Sequence, residues 1–151
     1  MNGELSIQGV SRTFTTAKGA ATQALTPVNL QVRENDFVTI LGPSGCGKST
    51  LLRIVAGLDQ PSTGRVLLDG HEVQGPGADR GMVFQSYTLF PWLTVEENIR
   101  FGLRERQMPL AQQKERSDYF IAKVGLRGFE HHYPKQLSGG MQQRTAIARA
   151  L

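Results

Sequence analysis

The sequence predicts an α/β fold with a strand-rich first half and an all-helical second half. Three observations carry this. An apolar run at 37–41, FVTIL, feeds straight into a glycine cluster. The stretch that follows, 48–58, has apolar residues at helical spacing. Beyond residue 85 strand patterns cease and helix start signals take over.

Residues 28–33, VNLQVR, alternate apolar and polar side chains, as a strand with one buried face does. After a short turn, FVTIL at 37–41 reads as a more buried strand. In KSTLLRIVAGL at 48–58, Leu51, Leu52, Val55 and Leu58 are expected on one side of a helix, with Gly57 near its end. Pro61 and Gly64 punctuate a turn. RVLLDG at 65–70 and GMVF at 81–84 read as short strands joined by a polar, glycine-rich connector. TVEENIRFGL opens with a capping box, Thr94 with Glu97 three residues on. Pro109 can start a further helix carrying Tyr119, Phe120, Ile121 and Val124. A last helix is expected to begin near Gly139 and to continue to Leu151. The expected division is 1–84, strand-rich, and 85–151, helical.

The bulk properties are those of one ordinary domain. The chain has 151 residues, 39% hydrophobic and 20% charged. Many of its 17 glycines fall in turns and in two motifs, which sets them apart from low-complexity sequence. The net charge of +4 fits a mildly basic surface or an affinity for a polyanion. No dense Lys/Arg block is present, so nucleic acid is not an expected partner. A single cysteine, Cys46, excludes an internal disulfide framework and suggests a reducing compartment. No apolar run approaches about 18 residues, so no membrane-spanning segment is expected. The start, MNGELSIQGVSRTF, lacks the pattern of a secretory signal.

Residues 42–49, GPSGCGKS, followed by Thr50, fit G-x-x-x-x-G-K-[ST]. The spacing follows from chemistry. Phosphates crowd several anionic oxygens into a small volume, and glycines let backbone N–H groups wrap around them. The loop Gly42, Pro43, Ser44, Gly45, Cys46 and Gly47 would form that wrap. The helix starting at Lys48 adds free N–H groups and its dipole. Lys48 supplies positive charge to the β- and γ-phosphates of a nucleotide, and the Ser49 hydroxyl is placed to hold Mg²⁺. Cys46 is read as a small residue the loop tolerates, not as a catalytic one.

Residues 137–142, Leu137, Ser138, Gly139, Gly140, Met141 and Gln142, make a second motif, LSGGMQ, and QRTAIARAL follows. Ser138 is a good N-cap, and the two glycines expose N–H groups at a helix start, making a second anion-binding end. The motif resembles the signature of ATP-binding-cassette (ABC) proteins. Its spacing from Lys48 is close to that of the family, and the resemblance covers essentially the whole chain. It implies a P-loop NTPase core with an N-terminal β-subdomain and a helical subdomain. It also implies ATP and Mg²⁺ as cofactors and a head-to-tail dimer in which one subunit's signature closes on the ATP of the other.

Gln85, after GMVF, resembles the family's Q-loop glutamine, which contacts Mg²⁺ and the attacking water; with Lys48 it forms the expected catalytic pair, and with Ser49 the expected metal set. Leu89, Phe90, Pro91, Trp92 and Leu93 are unusually apolar for a connector. They read either as subdomain core or as a groove for a transmembrane permease, whose coupling helix sits here in the family; both can hold. Phe14 falls where the family has an aromatic ring stacked on adenine. GPGADRGMVFQ and FPWLTVEENIRFGL resemble the branch importing nitrate, sulfonates and taurine. That branch implies a solute-binding protein as a further partner and a peripheral position on the cytoplasmic face of the bacterial inner membrane. The alternatives are a cassette protein without a permease and a non-hydrolysing remnant.

His71, His131 and His132 do not match the family's switch histidine, and the latter two read as exposed turn residues. No zinc-ligand spacing is present. The family's acidic strand end, with an aspartate supporting Mg²⁺ and a glutamate polarising water, is expected after Leu151. Asp36, Asp69 and Asp79 do not substitute. The sequence therefore reads as the N-terminal part of a longer chain, and these 151 residues alone are expected not to hydrolyse ATP.

Overall fold

The computed structural model describes residues 3–15 and 19–151. In chain order the elements are β1 (Leu5–Thr15), β2 (Ala21–Val32), α1 (Lys48–Val55), β3 (Thr63–Leu68), β4 (His71–Glu72), α2 (Val95–Glu105), α3 (Leu110–Lys123), a 3₁₀ turn (Pro134–Gln136) and α4 (Gly139–Ala150). They form two compact units, Met1–Arg80 and Gly81–Leu151.

In the first unit, four strands form an antiparallel sheet in the order β2-β1-β3-β4. Ile7, Val10, Leu25 and Val66 point to one face, and Leu51 and Ile54 of α1 complete that core. β2 is an edge strand, which is where Pro27 is tolerated. β1 bends at a register shift between Ile7 and Val10, where the side chain of Asn29 accepts the Gly9 N–H at 2.8 Å. β3 passes so close that a Cβ on Gly64 would lie 2.3 Å from Gly9 O, and Gly64 has φ +75. Only glycine fits there.

Three expectations need correction. FVTIL at 37–41 and GMVF at 81–84 are not strands: among the described residues no strand pairs with either. A strand exists only with a neighbour to complete its ladder. Without one, Phe37 and Leu41 are 94% and 87% exposed. On α1, Leu51 and Ile54 are buried, whereas Leu52 and Leu58 are exposed. Leu52 is rotated a quarter turn or so from Leu51 (about 100°), and Leu58 lies beyond the end of α1 at Val55.

The second unit packs α2, α3 and α4 around Val95, Ile99, Ile121, Leu126, Leu137 and Ala148. α2 begins with the expected capping box. Thr94 Oγ1 accepts the Glu97 N–H at 3.3 Å, and Glu97 Oε2 accepts the Thr94 N–H at 2.8 Å. The next orphan donors are also used: Val95 N–H bonds His132 O and Glu96 N–H bonds Glu130 O, both at 3.0 Å. His132 is thereby tied in, half-buried, with its ring 5.1 Å from Phe129; only His131 is an exposed turn residue. At the far end of α3, Arg144 Nη1 donates to Val124 O at 2.8 Å, which ties α4 to the α3 terminus.

The hydrogen bonds from Thr94, backbone first and hydroxyl second, hold the Glu97 carboxyl below the ordinary range. Its contribution to stability is therefore present above the unfolded carboxyl pKa and is lost as pH falls through the lower folded value. Thr94→Ala is expected to cost about 1 kcal/mol and to reduce that acid dependence in part, since the backbone N–H of residue 94 remains. Denaturant melts of both proteins across the acid range check this.

Candidate functional site

The glycine loop occupies 42–47 and runs directly into α1. Gly47 stands at the helix N-cap with φ +94, so no side chain occupies the cap. A Cβ there would lie 2.5 Å from Ala24 O, backbone of the adjacent strand. Gly47→Ala is thus both strained in φ and sterically blocked. It is expected to cost about 1–3 kcal/mol and to displace the loop; thermal unfolding together with nucleotide titration measures both effects.

Lys48 folds back over the loop. Its Nζ donates to Gly42 O and Pro43 O, each at 2.7 Å, and lies 3.5 Å from Cys46 Sγ. The ammonium is therefore held against the loop backbone by two hydrogen bonds. The Cys46 N–H turns to Pro43 O at 3.4 Å, and its thiol packs against Gly42, where a Cβ would lie 2.7 Å from the sulfur. Cys46 thus shapes the loop from within. Among the described residues, no acceptor meets the backbone N–H groups of Gly47, Lys48, Ser49 or Thr50, and the Ser49 hydroxyl has no hydrogen-bond partner. No acidic residue lies in the first turn of α1. The contrast with α2, whose first donors are all satisfied, is chemical: one helix start is closed, the other open to an anion.

α4 supplies a second open start. Ser138 Oγ accepts the Met141 N–H at 3.3 Å, as its N-cap position requires. Gly139 and Gly140 are exposed, and among the described residues nothing accepts from their N–H groups. The rest of the motif faces inward. Leu137 is buried, Met141 packs on the helical core, and Gln142 Nε2 donates to Pro134 O at 3.0 Å and Leu137 O at 3.2 Å. Ser138, Gly139 and Gly140 form the presented surface; Leu137, Met141 and Gln142 fix it.

Gln85 is exposed in a turn. Tyr87 and Thr88 follow at φ +26 and +46, strained positions for non-glycine residues. Such residues cost about 1–3 kcal/mol each and persist only where surroundings over-determine them. Of the apolar stretch 89–93, Phe90 is packed, its ring 4.5 Å from Phe101 and 5.6 Å from Trp92, while Trp92 is 68% exposed. Phe90 is held by Asn98, a fully buried amide that sequence reasoning missed. Phe14 is exposed at the end of β1, with the Arg12 guanidinium 4.7 Å from its ring centroid. Residues 16–18 beside it lie outside the described residues. No group of three or more His, Cys, Asp or Glu able to hold a metal occurs among the described residues. Within the first unit, the Ser49 hydroxyl at the start of α1 is an exposed oxygen of the kind a Mg²⁺ takes beside phosphate and water.

A glycine loop leading into an open helix, a pre-placed lysine, an antiparallel sheet subdomain and a helical subdomain define an α/β P-loop ATPase fold of the cassette type. The chain belongs to the ABC transporter family, whose model matches residues 25–151. It is 56% identical over its whole length to an uncharacterized ABC transporter ATP-binding protein of Methanocaldococcus jannaschii, covering 56% of that protein. It is 50% identical over 97% of its length to a nitrate import ATP-binding protein of Synechocystis, covering 55% of that protein. It is 47% identical over 98% of its length to a taurine import ATP-binding protein of Pelagibacter ubique, covering 56% of that protein. Among solved structures it matches a dimeric post-hydrolysis state of an ATP-binding cassette bound to ADP and Pi. That match has a TM-score of 0.87 and 37% identity, over 97% of this chain and 68% of the other. The chain spans about half the length of the curated relatives it matches.

Proposed function

We propose that this chain forms the nucleotide-binding part of a subunit that couples ATP binding and hydrolysis to import of a small solute, of the nitrate, sulfonate or taurine kind. The observation that carries this reading is the presence of two open helix starts on one chain, the loop–α1 junction and Ser138–Gly140. One bound nucleotide uses the first; the second is free for the nucleotide of a partner copy in a head-to-tail dimer. In such a site the loop N–H groups and Lys48 bind and orient the phosphates, and Ser49 and Gln85 contribute oxygens to Mg²⁺. Phe14 offers a ring face to the base. ATP supplies the phosphoryl group, and Mg²⁺ neutralises charge on its oxygens. Gln85 orients the attacking water.

Exposed Trp92 beside the packed Phe90 suits the 85–93 segment to receive a permease. A solute-binding protein would complete the system. No helix among the described residues is long and apolar enough to cross a membrane, which suits a peripheral subunit on the cytoplasmic face of the membrane. Within this reading, 1–84 serves as the N-terminal part of the nucleotide-binding core with the β-subdomain, and 85–151 carries the Q-loop, the helical subdomain and the signature helix.

The test is ATP-dependent dimerisation, followed by light scattering, together with nucleotide titration. Ser138→Arg is expected to abolish the dimer while leaving ATP affinity of the monomer intact. A dimer that forms equally well with Ser138→Arg overturns the head-to-tail reading.

A further inference from the structure

We propose that Arg149 is a positioning residue for Gln85, acting through the turn at Tyr87 and Thr88. The inference rests on the proposed role of Gln85 at Mg²⁺ and water.

Arg149 lies in the last turn of α4, the helix whose other end presents Ser138 and the two glycines. Its Nη1 donates to Thr88 O at 2.9 Å and its Nη2 to Thr88 Oγ1 at 3.1 Å. The guanidinium carbon lies 5.3 Å from the Phe90 ring centroid. A planar fork is needed for this: two donors meet two oxygens of one residue while the flat face covers a ring. The group is half-buried, and desolvation lowers its pKa from the ordinary arginine value. Burying this cation is therefore offset by the contacts it makes.

The residue it holds is one that resists its own conformation. Thr88 is β-branched with φ +46, and Tyr87 before it has φ +26. The Thr88 N–H folds back onto Ser86 O. Downstream, Phe90 is fixed by Asn98. Upstream, among the described residues the Gln85 side chain has no hydrogen-bond partner. The direction in which Gln85 leaves the chain is thus set by the Ser86–Thr88 turn, and Arg149 is the side chain that grips that turn. The same turn rests on the start of α4, since a Cβ on Gly139 would lie 3.3 Å from the Tyr87 hydroxyl. One helix therefore touches the turn near both of its ends. Signature geometry and Gln85 geometry are mechanically joined, with Arg149 as the polar link.

The test compares Gln85→Ala, Arg149→Lys, Arg149→Ala and Arg149→Ala/Thr88→Gly in the purified full protein. Mg²⁺-ATP turnover, affinity for ATP without Mg²⁺, and amide hydrogen exchange over 85–90 are measured. Both Arg149 variants are expected to lower turnover by about tenfold or more, as misplacing a reacting-centre ligand does, with metal-free affinity unchanged. Exchange is expected to quicken over 85–90 and not across the rest of 81–151. Glycine takes left-handed φ freely, so Thr88→Gly is expected to restore part of the turnover lost in Arg149→Ala. If Gln85→Ala lowers turnover but the Arg149 variants change neither turnover nor local exchange, the positioning role is overturned. It is equally overturned if exchange rises uniformly through 81–151 and Thr88→Gly restores nothing, since Arg149 then only stabilises the fold. If Gln85→Ala leaves turnover intact, the Gln85 reading itself fails, and this inference with it.

Discussion

Lys48→Ala is expected to weaken ATP binding by roughly ten- to a hundredfold, the equivalent of about 1.5–3 kcal/mol for a hydrogen bond to a charged group. Hydrolysis by the full protein is expected to fall further, by about a hundredfold to a thousandfold, the usual loss when one preorganised donor to developing charge is removed. The structure shows why the effect is more than one lost charge. Nζ bridges Gly42 O and Pro43 O at 2.7 Å each, so the side chain also closes the loop on itself. Alanine removes both of these hydrogen bonds along with the charge. Lys48→Arg separates the two effects. It keeps the charge but replaces a compact ammonium with a wide fork, so affinity is expected to recover partly and turnover hardly at all. Titration with ATP and single-turnover hydrolysis distinguish these outcomes. Full affinity in Lys48→Ala would remove the loop from the nucleotide site.

What the sequence made legible was local. The Thr94–Glu97 box, the Ser138 cap and the Gly47–Lys48 junction each depend on residues within four positions, and each forms as expected. What was not legible depends on partners far along the chain. FVTIL at 37–41 has strand composition, yet a strand requires a ladder, and none is present among the described residues. β1 went unread because its alternation, begun by Leu5 and Ile7, breaks at the Gly9 bulge, where Val10 takes the buried position instead. Nothing near Arg149 in sequence marks it out; its partner is Thr88, distant along the chain. Asn98 followed Glu97 in an apparently polar helix turn, and nothing in its neighbours signals that it would be fully buried. Such polar core residues are found only when the backbone groups they satisfy are known.

Asn98 is also where the largest loss of stability is expected. Its Oδ1 accepts the Phe90 N–H at 2.9 Å, and its Nδ2 donates toward Phe90 O at 3.2 Å and Leu93 O and Thr94 O at 2.9 Å. Not all of these become orphans in Asn98→Ala. Phe90 O still accepts the Leu93 N–H at 3.1 Å, and Thr94 O still accepts the residue 98 N–H at 2.9 Å. Phe90 N–H and Leu93 O are left without partners, in the half-buried segment that carries the aromatic cluster. At about 1–3 kcal/mol per orphaned group, Asn98→Ala is expected to cost about 3–5 kcal/mol, a large share of a small unit's total. Asn98→Asp tests the same geometry through charge. It keeps the acceptor for Phe90 N–H but sets a second carboxylate oxygen against the Leu93 and Thr94 carbonyls. Those carbonyls disfavour the ionised form, so the introduced carboxyl is expected to titrate above its unfolded value. By linkage, stability relative to the parent should then improve as pH falls through that raised pKa, opposite in sign to the Glu97 effect. Trp92, the single tryptophan, lies beside Phe90 and reports directly on this unit. Denaturation followed by its emission, at neutral and mildly acid pH, measures both variants. A cost below about 1 kcal/mol for Asn98→Ala would mean that water replaces the amide at Phe90 and Leu93, and that the segment following Gln85 is held by ring packing instead of this hydrogen-bonded clamp.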